Sequence, residues 1–378
     1  MPFALTDEQK LLQESVDRFV ERDYGFDVRT RLAESENGWS AENWARFAEL
    51  GWLGVPFDEA AGGFGGGPVE AGLIAESLGK GLAIEPYLWT VVLGGGLLAR
   101  AGRNDLLEAL IAGNLQLATG FAEPQARYAL HDVATKAERS GGDYVLSGQK
   151  AVVFNAPSAD RLVVPARTAG GQTEARGITL FLLPADADGI ALRPYRTMDD
   201  GRAAEVTLAN VRAGADAVLG EVDDGMALLA PAIDAATAVL CCEAAGVMQA
   251  LVSQTREYIG TRKQFGVPLS SFQVLQHRMA EMFIHKEQTQ SMAYMAAVRA
   301  AAGDGPAASR AASAAKAYAS EKGKLVGQEA IQMHGGMGMT REMPISSFFK
   351  RITMIGSLFG DADHHLDRFA DLAGGRTG

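Results

Sequence analysis

Two short stretches concentrate the side chains able to hold an anionic ligand. Arg262-Lys263-Gln264-Phe265-Gly266-Val267-Pro268 sets two cations beside an aromatic ring, at the end of a predicted helix. Gln332-Met333-His334-Gly335-Gly336-Met337-Gly338 spaces its glycines so closely that backbone amides can approach a dinucleotide. Each stretch also has a plainer reading. Basic residues followed by Gly and Pro complement the negative end of a helix dipole and stop the helix. His334 alone reads as a satisfied loop or core histidine. A third glycine cluster, Gly62-Gly63-Phe64-Gly65-Gly66-Gly67, has no strand before it and no Lys-Ser/Thr pair after it, so it reads as a structural turn. His364-His365 suggests a metal to the eye, but no third ligand stands at a known spacing, and a solvated helix face is expected.

The elements that must position these residues fall into three zones, 1–115, 116–215 and 216–378. The first reads as helical. Thr6 and Gln9 form a capping box ahead of Leu11, Leu12, Val16, Phe19 and Val20 at helical spacing, and Ser40 caps a helix carrying Trp44, Phe47 and Leu50. The second changes period. Tyr144-Val145-Leu146, Ala151–Phe154, Leu162–Val164, Ile178–Leu183 and Glu205–Leu208 are short apolar runs between Gly/Asp/Pro turns, the pattern of a small antiparallel β domain. The third returns to Ala-, Leu- and Met-rich helices near 226–260, 273–302, 306–333 and 344–370, which predict a four-helix bundle. The fold class expected is therefore α+β and multidomain: an N-terminal helical domain, a middle antiparallel β domain and a C-terminal four-helix bundle.

A formal net charge of −11 over 378 residues argues against a nucleic-acid or anionic-membrane partner. The only cysteines, Cys241 and Cys242, are adjacent and offer neither a disulfide framework nor a zinc spacing, which suits a reducing cytoplasm. The start, MPFALTDEQK, has the character of neither a signal nor a transit peptide. No uninterrupted apolar run approaches the roughly 20 residues of a membrane span. The longest candidate, Ala235 to Val252, is broken by Glu243.

Taken together the stretches are more specific than either alone. Arg262 to Gly266, then Phe272-Gln273-Val274-Leu275-Gln276-His277-Arg278-Met279-Ala280-Glu281-Met282, then Gln332 to Gly338 with Thr340-Arg341-Glu342-Met343-Pro344, resemble the acyl-CoA dehydrogenase family in order and spacing. Upstream, Phe121-Ala122-Glu123-Pro124 takes the place of that family's Thr-Glu-Pro flavin segment, and Gly148-Gln149-Lys150 matches its Gly-x-Lys strand start. The resemblance covers nearly the whole chain. It implies FAD lying between the β domain and the bundle, with adenine and pyrophosphate completed by a neighbouring subunit. Carried over by position, Arg262 would neutralise the pyrophosphate and Phe265 would pack near the adenine. Gln273 and the loop Gln332, Met333, His334, Gly335 and Gly336 would hydrogen-bond the flavin. The chemistry suits the residues, since phosphates want a guanidinium and amides while a flat heterocycle wants an aromatic face.

The resemblance breaks at the catalytic base. In the family reaction a carboxylate removes the proton beside the thioester while the β-hydrogen leaves as hydride to the flavin. Counting from Pro344, the usual glutamate position falls on Phe359, within Leu358-Phe359-Gly360-Asp361, and the alternative position on the first bundle helix falls on Ala236, beside Thr237 in place of an arginine. Two carboxylates stand nearby. Asp361 is two residues displaced and has a helix N-cap as its structural reading. Glu243 returns to the face of Ala236 after about 700° of helix but roughly 10 Å along the axis, and reads as a partly buried acid paired with a base. The flavin cradle departs too. Gln125-Ala126-Arg127-Tyr128 replaces small residues, and Val152-Val153-Phe154 stands where Trp-x-Thr is usual.

The ending Phe-Gly-Asp-Ala-Asp-His-His resembles the small subunits of two-component bacterial acyl-CoA dehydrogenases, such as the pimeloyl-CoA type. That implies a tetramer in which a related chain supplies the glutamate, acyl-CoA as substrate, and an electron-transferring flavoprotein as acceptor. Two alternatives remain open at this point: a self-sufficient homotetramer with an unusual base such as Asp361, and a non-catalytic scaffold that stabilises an active homologue.

Overall fold

The computed structural model describes residues 4–340 and 342–374. Arg341 of the Thr340–Pro344 motif, residues 1–3 of the N-terminal segment and the tail 375–378 lie outside the described residues. The described chain forms an N-terminal helical region, a central β-sheet and a C-terminal helical bundle.

The first region holds α1 (Asp7–Asp23), α2 (Phe26–Glu34), α3 (Ala41–Glu49), α4 (Pro68–Lys80), α5 (Gly96–Arg100) and α6 (Asn104–Ile111). Both expected N-caps form. Thr6 Oγ1 accepts from the Gln9 amide while Gln9 Oε1 accepts from the Thr6 amide, and Ser40 Oγ accepts from the Asn43 amide. By packing the chain separates into two compact units. One comprises residues up to 31, Pro68–Ala83 and the chain from Thr237 on; the other comprises Leu32–Gly67 and Ile84–Ala236.

The second unit carries β1 (Leu117–Thr119), β2 (Lys136–Ser140), β3 (Asp143–Phe154), β4 (Arg161–Arg167), β5 (Ile178–Pro184), β6 (Ile190–Arg196), β7 (Arg202–Ala213) and β8 (Val218–Leu219). They form one sheet in the order β6-β7-β3-β2-β4-β5-β8, with β1 against β4. Most neighbours are antiparallel, as expected, but β1 runs parallel to β4 and so does the single β2–β4 contact, so the sheet is mixed. A parallel pair needs a long crossover, and the chain between β1 and β4 supplies it. Leu146, Val164, Phe181 and Val206 fill the core of this unit.

The first unit is built on α7 (Met226–Thr261) from Thr237 on, α8 (Gln273–Ala301), α9 (Gly305–His334), α10 (Ile345–Ile355) and α11 (Ala362–Ala373), with the short hairpin β9 (Lys263–Gln264) and β10 (Val267–Pro268) after α7. The segment expected as one helix over 344–370 is two, because the linker 356–361 includes Phe359 and Gly360 at positive φ. Contrary to the expectation from uninterrupted runs, α7 is long and apolar enough to cross a membrane. Most of it is buried within the protein, as in a core helix.

Helix α4 approaches the part of α7 in its own unit closely enough to need glycine. A Cβ on Gly246 would lie 1.9 Å from the Glu76 carbonyl oxygen. Gly246→Ala is therefore expected to destabilise by about 1–3 kcal/mol through overpacking, although alanine in an open helix would gain up to about 1 kcal/mol. The sign of the change in urea midpoint decides between the two effects.

Candidate functional site

In the sheet unit the two segments picked out from the sequence, Phe121–Pro124 and Gly148–Lys150, meet. Lys150 Nζ donates to Glu123 Oε1 at 2.6 Å, with side-chain exposures of 0% and 2%. Glu123 also accepts from the amides of Ala134 (2.8 Å) and Thr135 (3.1 Å) and from Gln125 Nε2 (2.9 Å). Burial alone raises a carboxyl pKa, but the ammonium and these donors outweigh it and hold Glu123 at about 2. Burial draws Lys150 down to about 8, against the pull of Glu123. This pair fixes the loop after β1 to β3. The sequence offered each half without a reason to join them.

Beside the pair, the Ala151 amide donates to the Ala122 carbonyl at 2.9 Å. Val152, at φ 50°, sits where the β3–β7 register shifts, an uncommon conformation for a β-branched residue. Phe154 lies flat against Trp89, with centroids 4.4 Å apart and planes at 4°. The glycine cluster 62–67 is a turn: the amides of Gly62, Gly63, Gly65 and Gly66 all donate to carbonyls of residues 55–59.

In the bundle unit the basic stretch and the glycine loop are brought to one end of the helices. The ring of His334 stacks on Tyr258 at 4.3 Å, one turn before Arg262, whose amide donates to the Tyr258 carbonyl. The Leu269 amide donates to the Arg262 carbonyl, and Phe265 meets Phe272 edge-on at 6.3 Å, which folds the hairpin toward the start of α8 at Gln273. Arg262, Gln273, Gln332, Gly335 and Gly336 are exposed, and Phe265 is 92% exposed. Nothing lies within 4 Å of a Cβ built on Gly335 or Gly336. This donor set suits the phosphates and adenine of a dinucleotide. Met333 and His334 turn inward instead. His334 Nδ1–H donates to the Ala330 carbonyl at 2.8 Å, and burial lowers the pKa of the ring.

Both base positions lack a carboxylate. Ala236 and Phe359 are buried. Asp361 N-caps α11, its Oδ1 accepting from the His364 amide at 2.9 Å. Glu243 is bound at both oxygens by Arg351, at 2.6 and 2.8 Å. Lys316, which the sequence did not single out, and His365, expected on a solvated face, hold the Phe359 turn. Lys316, wholly buried on α9, donates to the carbonyls of Gly360 (2.6 Å) and Gly356 (3.2 Å) and to Ser320 Oγ (2.9 Å), and burial brings its pKa to about 8. His365 Nε2–H donates to the Phe359 carbonyl at 3.1 Å. His365 is 1% exposed, so the expectation of a solvated His364-His365 face is corrected: desolvation keeps this ring neutral, with a pKa of about 3. A lysine on the alanine face of α9 was the available signal for the first.

A helical region, a β-sheet and a helical bundle in this order are the acyl-CoA dehydrogenase architecture. Family models for acyl-CoA dehydrogenases match in three consecutive pieces: the N-terminal domain over residues 6–114, the middle domain over 118–211 and the C-terminal domain over 223–373. The chain belongs to this family, whose members are oxidoreductases. It is 30% identical over 367 residues to the acyl-CoA dehydrogenase IpdE2 of Mycolicibacterium smegmatis, covering 96% of this chain and 98% of that protein. Among solved structures it resembles the ChsE4–ChsE5 complex from Mycobacterium tuberculosis, with 27% identity, a TM-score of 0.89 and 99% of each chain covered. It also resembles PigA in its FAD complex, with 25% identity, a TM-score of 0.91 and all of each chain covered.

Proposed function

We propose that this chain is a subunit of an FAD-dependent, two-component acyl-CoA dehydrogenase, akin to the small subunit of the pimeloyl-CoA type, which forms a 2,3-enoyl-CoA using a glutamate supplied by a related chain. The observation that carries this reading is the state of the base positions: Phe359 and Ala236 hold no carboxylate, Asp361 caps a helix and Glu243 is paired with Arg351. FAD, when bound, supplies the hydride acceptor. Arg262, Phe265, Gln273, Gln332, Gly335 and Gly336 would hold its dinucleotide portion. The likeness to the ChsE4–ChsE5 complex supports an assembly of two related chains, and a heterotetramer passing electrons to an electron-transferring flavoprotein follows from the same reading.

The test is steady-state oxidation of a panel of acyl-CoAs with an artificial electron acceptor. We expect turnover by this chain purified with its glutamate-bearing homologue and none by the chain alone. Full turnover by the isolated chain would establish a self-sufficient enzyme instead.

A further inference from the structure

We propose that the contact between α4 and α8 is proton-linked: Glu76 holds a proton in the folded chain, gives it up as pH rises, and the contact loosens when it does. Glu76 lies on α4 and is 4% exposed. Its carboxyl group meets only neutral donors, both from α8. Tyr294 Oη donates to Oε2 at 2.5 Å, and Gln290 Nε2 donates to Oε1 at 2.8 Å. The two cations that act on it through space are engaged elsewhere. Lys80, one turn on, binds Asp17 of α1 at 2.8 Å. Lys286 of α8 donates to Glu287 and, at 3.4 Å, to Gln290 Oε1. Helix α7 brings no free cation. Its backbone lies so close to α4 that a Cβ on Gly72 would come within 2.8 Å of Cys242 Sγ, and one on Gly79 within 2.5 Å of the Glu243 carbonyl oxygen. Burial keeps Cys242 a neutral thiol, and the Glu243 carboxylate is bound by Arg351.

A carboxyl group buried without a cation at hydrogen-bonding distance favours its neutral form, because burial penalises the charge. Desolvation accordingly raises the pKa of Glu76 above its ordinary 4.5, against the pull of Tyr294, Lys80 and Lys286 and with the help of Asp17. Both protonation states find partners in the cluster. Tyr294 donates to Oε2 in either. Turning the Gln290 amide over presents its oxygen to a proton on Oε1. That turn gives up only two long bonds, from Lys286 (3.4 Å) and to Tyr294 Oη (3.3 Å), while Lys286 keeps Glu287. The proton can therefore leave and return without dismantling the cluster, and the ionised form weakens the seat of α4 on α8. Linkage fixes the sign. A folded-state pKa above the unfolded value gives stability that is complete below about 4.5 and is lost as pH rises through the folded pKa.

The experiment follows amide hydrogen exchange of α4 and α8 peptides in the full chain, wild type and Glu76→Gln, from about pH 5 to about pH 9. Glutamine stands in for the protonated acid, and the ratio of the two rates at each pH cancels the intrinsic pH dependence of exchange. We expect the wild type to exchange progressively faster than the variant as pH rises, by up to about tenfold per pH unit, and then to level off. The infrared band of a protonated carboxylic acid gives a direct reading that does not depend on the variant's folding. It should persist in the wild type above about pH 4.5 and be missing from Glu76→Gln. In Tyr294→Phe, which lacks a donor favouring the ionised form, it should persist to still higher pH. That shift identifies the band as Glu76 even where Glu76→Gln fails to fold. A ratio that stays flat or falls with pH overturns the inference, as does the absence of any such band above about pH 4.5.

Discussion

Lys150→Met is expected to destabilise the protein by about 3–5 kcal/mol at neutral pH, because it leaves Glu123 charged and buried without its cation. Methionine preserves most of the lysine stem, so a packing defect contributes little. Removing both charges should cost much less. In Glu123→Gln/Lys150→Met the amide oxygen can still accept from the backbone of Ala134 and Thr135, and no buried ion remains. Urea unfolding of the single and double variants measures the difference, and equal losses in the two would show that the ion pair is not the cause. The pH dependence has a definite sign. The folded-state pKa of Glu123, about 2, lies below its unperturbed 4.5. Its contribution is therefore complete above about 4.5 and is lost as pH falls toward 2. Without Lys150, burial raises the Glu123 pKa, so the gap between wild type and Lys150→Met should narrow as pH falls, starting where the variant's Glu123 takes up its proton and ending near 2.

What could be read from the sequence was local. Caps at Thr6 and Ser40 involve partners three residues away, and the apolar runs in β3, β4, β5 and β7 announce strands by composition alone. Strands β2 and β6 escaped notice because they are polar and largely exposed, so their pairing depends on neighbours rather than on their own burial. The parallel placement of β1 is likewise a matter of topology. At the candidate site, the capping role of Asp361 and the paired role of Glu243 were legible as structural alternatives, and both describe the fold. The Glu123–Lys150 pair joins residues 27 apart through strand register. Lys316 reaches the Phe359 turn from another helix. Neither leaves a short-range signature beyond a charged residue set among apolar ones.

On the two-component reading proposed above, the largest functional effect should fall on the other chain of the assembly. Replacing the partner's catalytic glutamate by glutamine is expected to lower turnover by about 10²–10⁴-fold, the usual contribution of a positioned base. Asp361→Asn in this chain should lower it by less than about tenfold. Asn caps helices about as well as Asp, and Oδ1 of Asp361 is already engaged with the His364 amide, so the substitution should leave both the fold and the chemistry nearly intact. Phe359→Glu places a carboxylate at the familiar position, yet it should confer little or no activity on the isolated chain. The turn is held by Lys316 and His365 at a left-handed φ of 57°, and Thr237 stands in place of the arginine implied by the resemblance. Rates for the three variants with the same acyl-CoA panel separate the cases. A thousandfold loss in Asp361→Asn with flavin retained would mean that this chain carries its own base, and the two-component reading would fall.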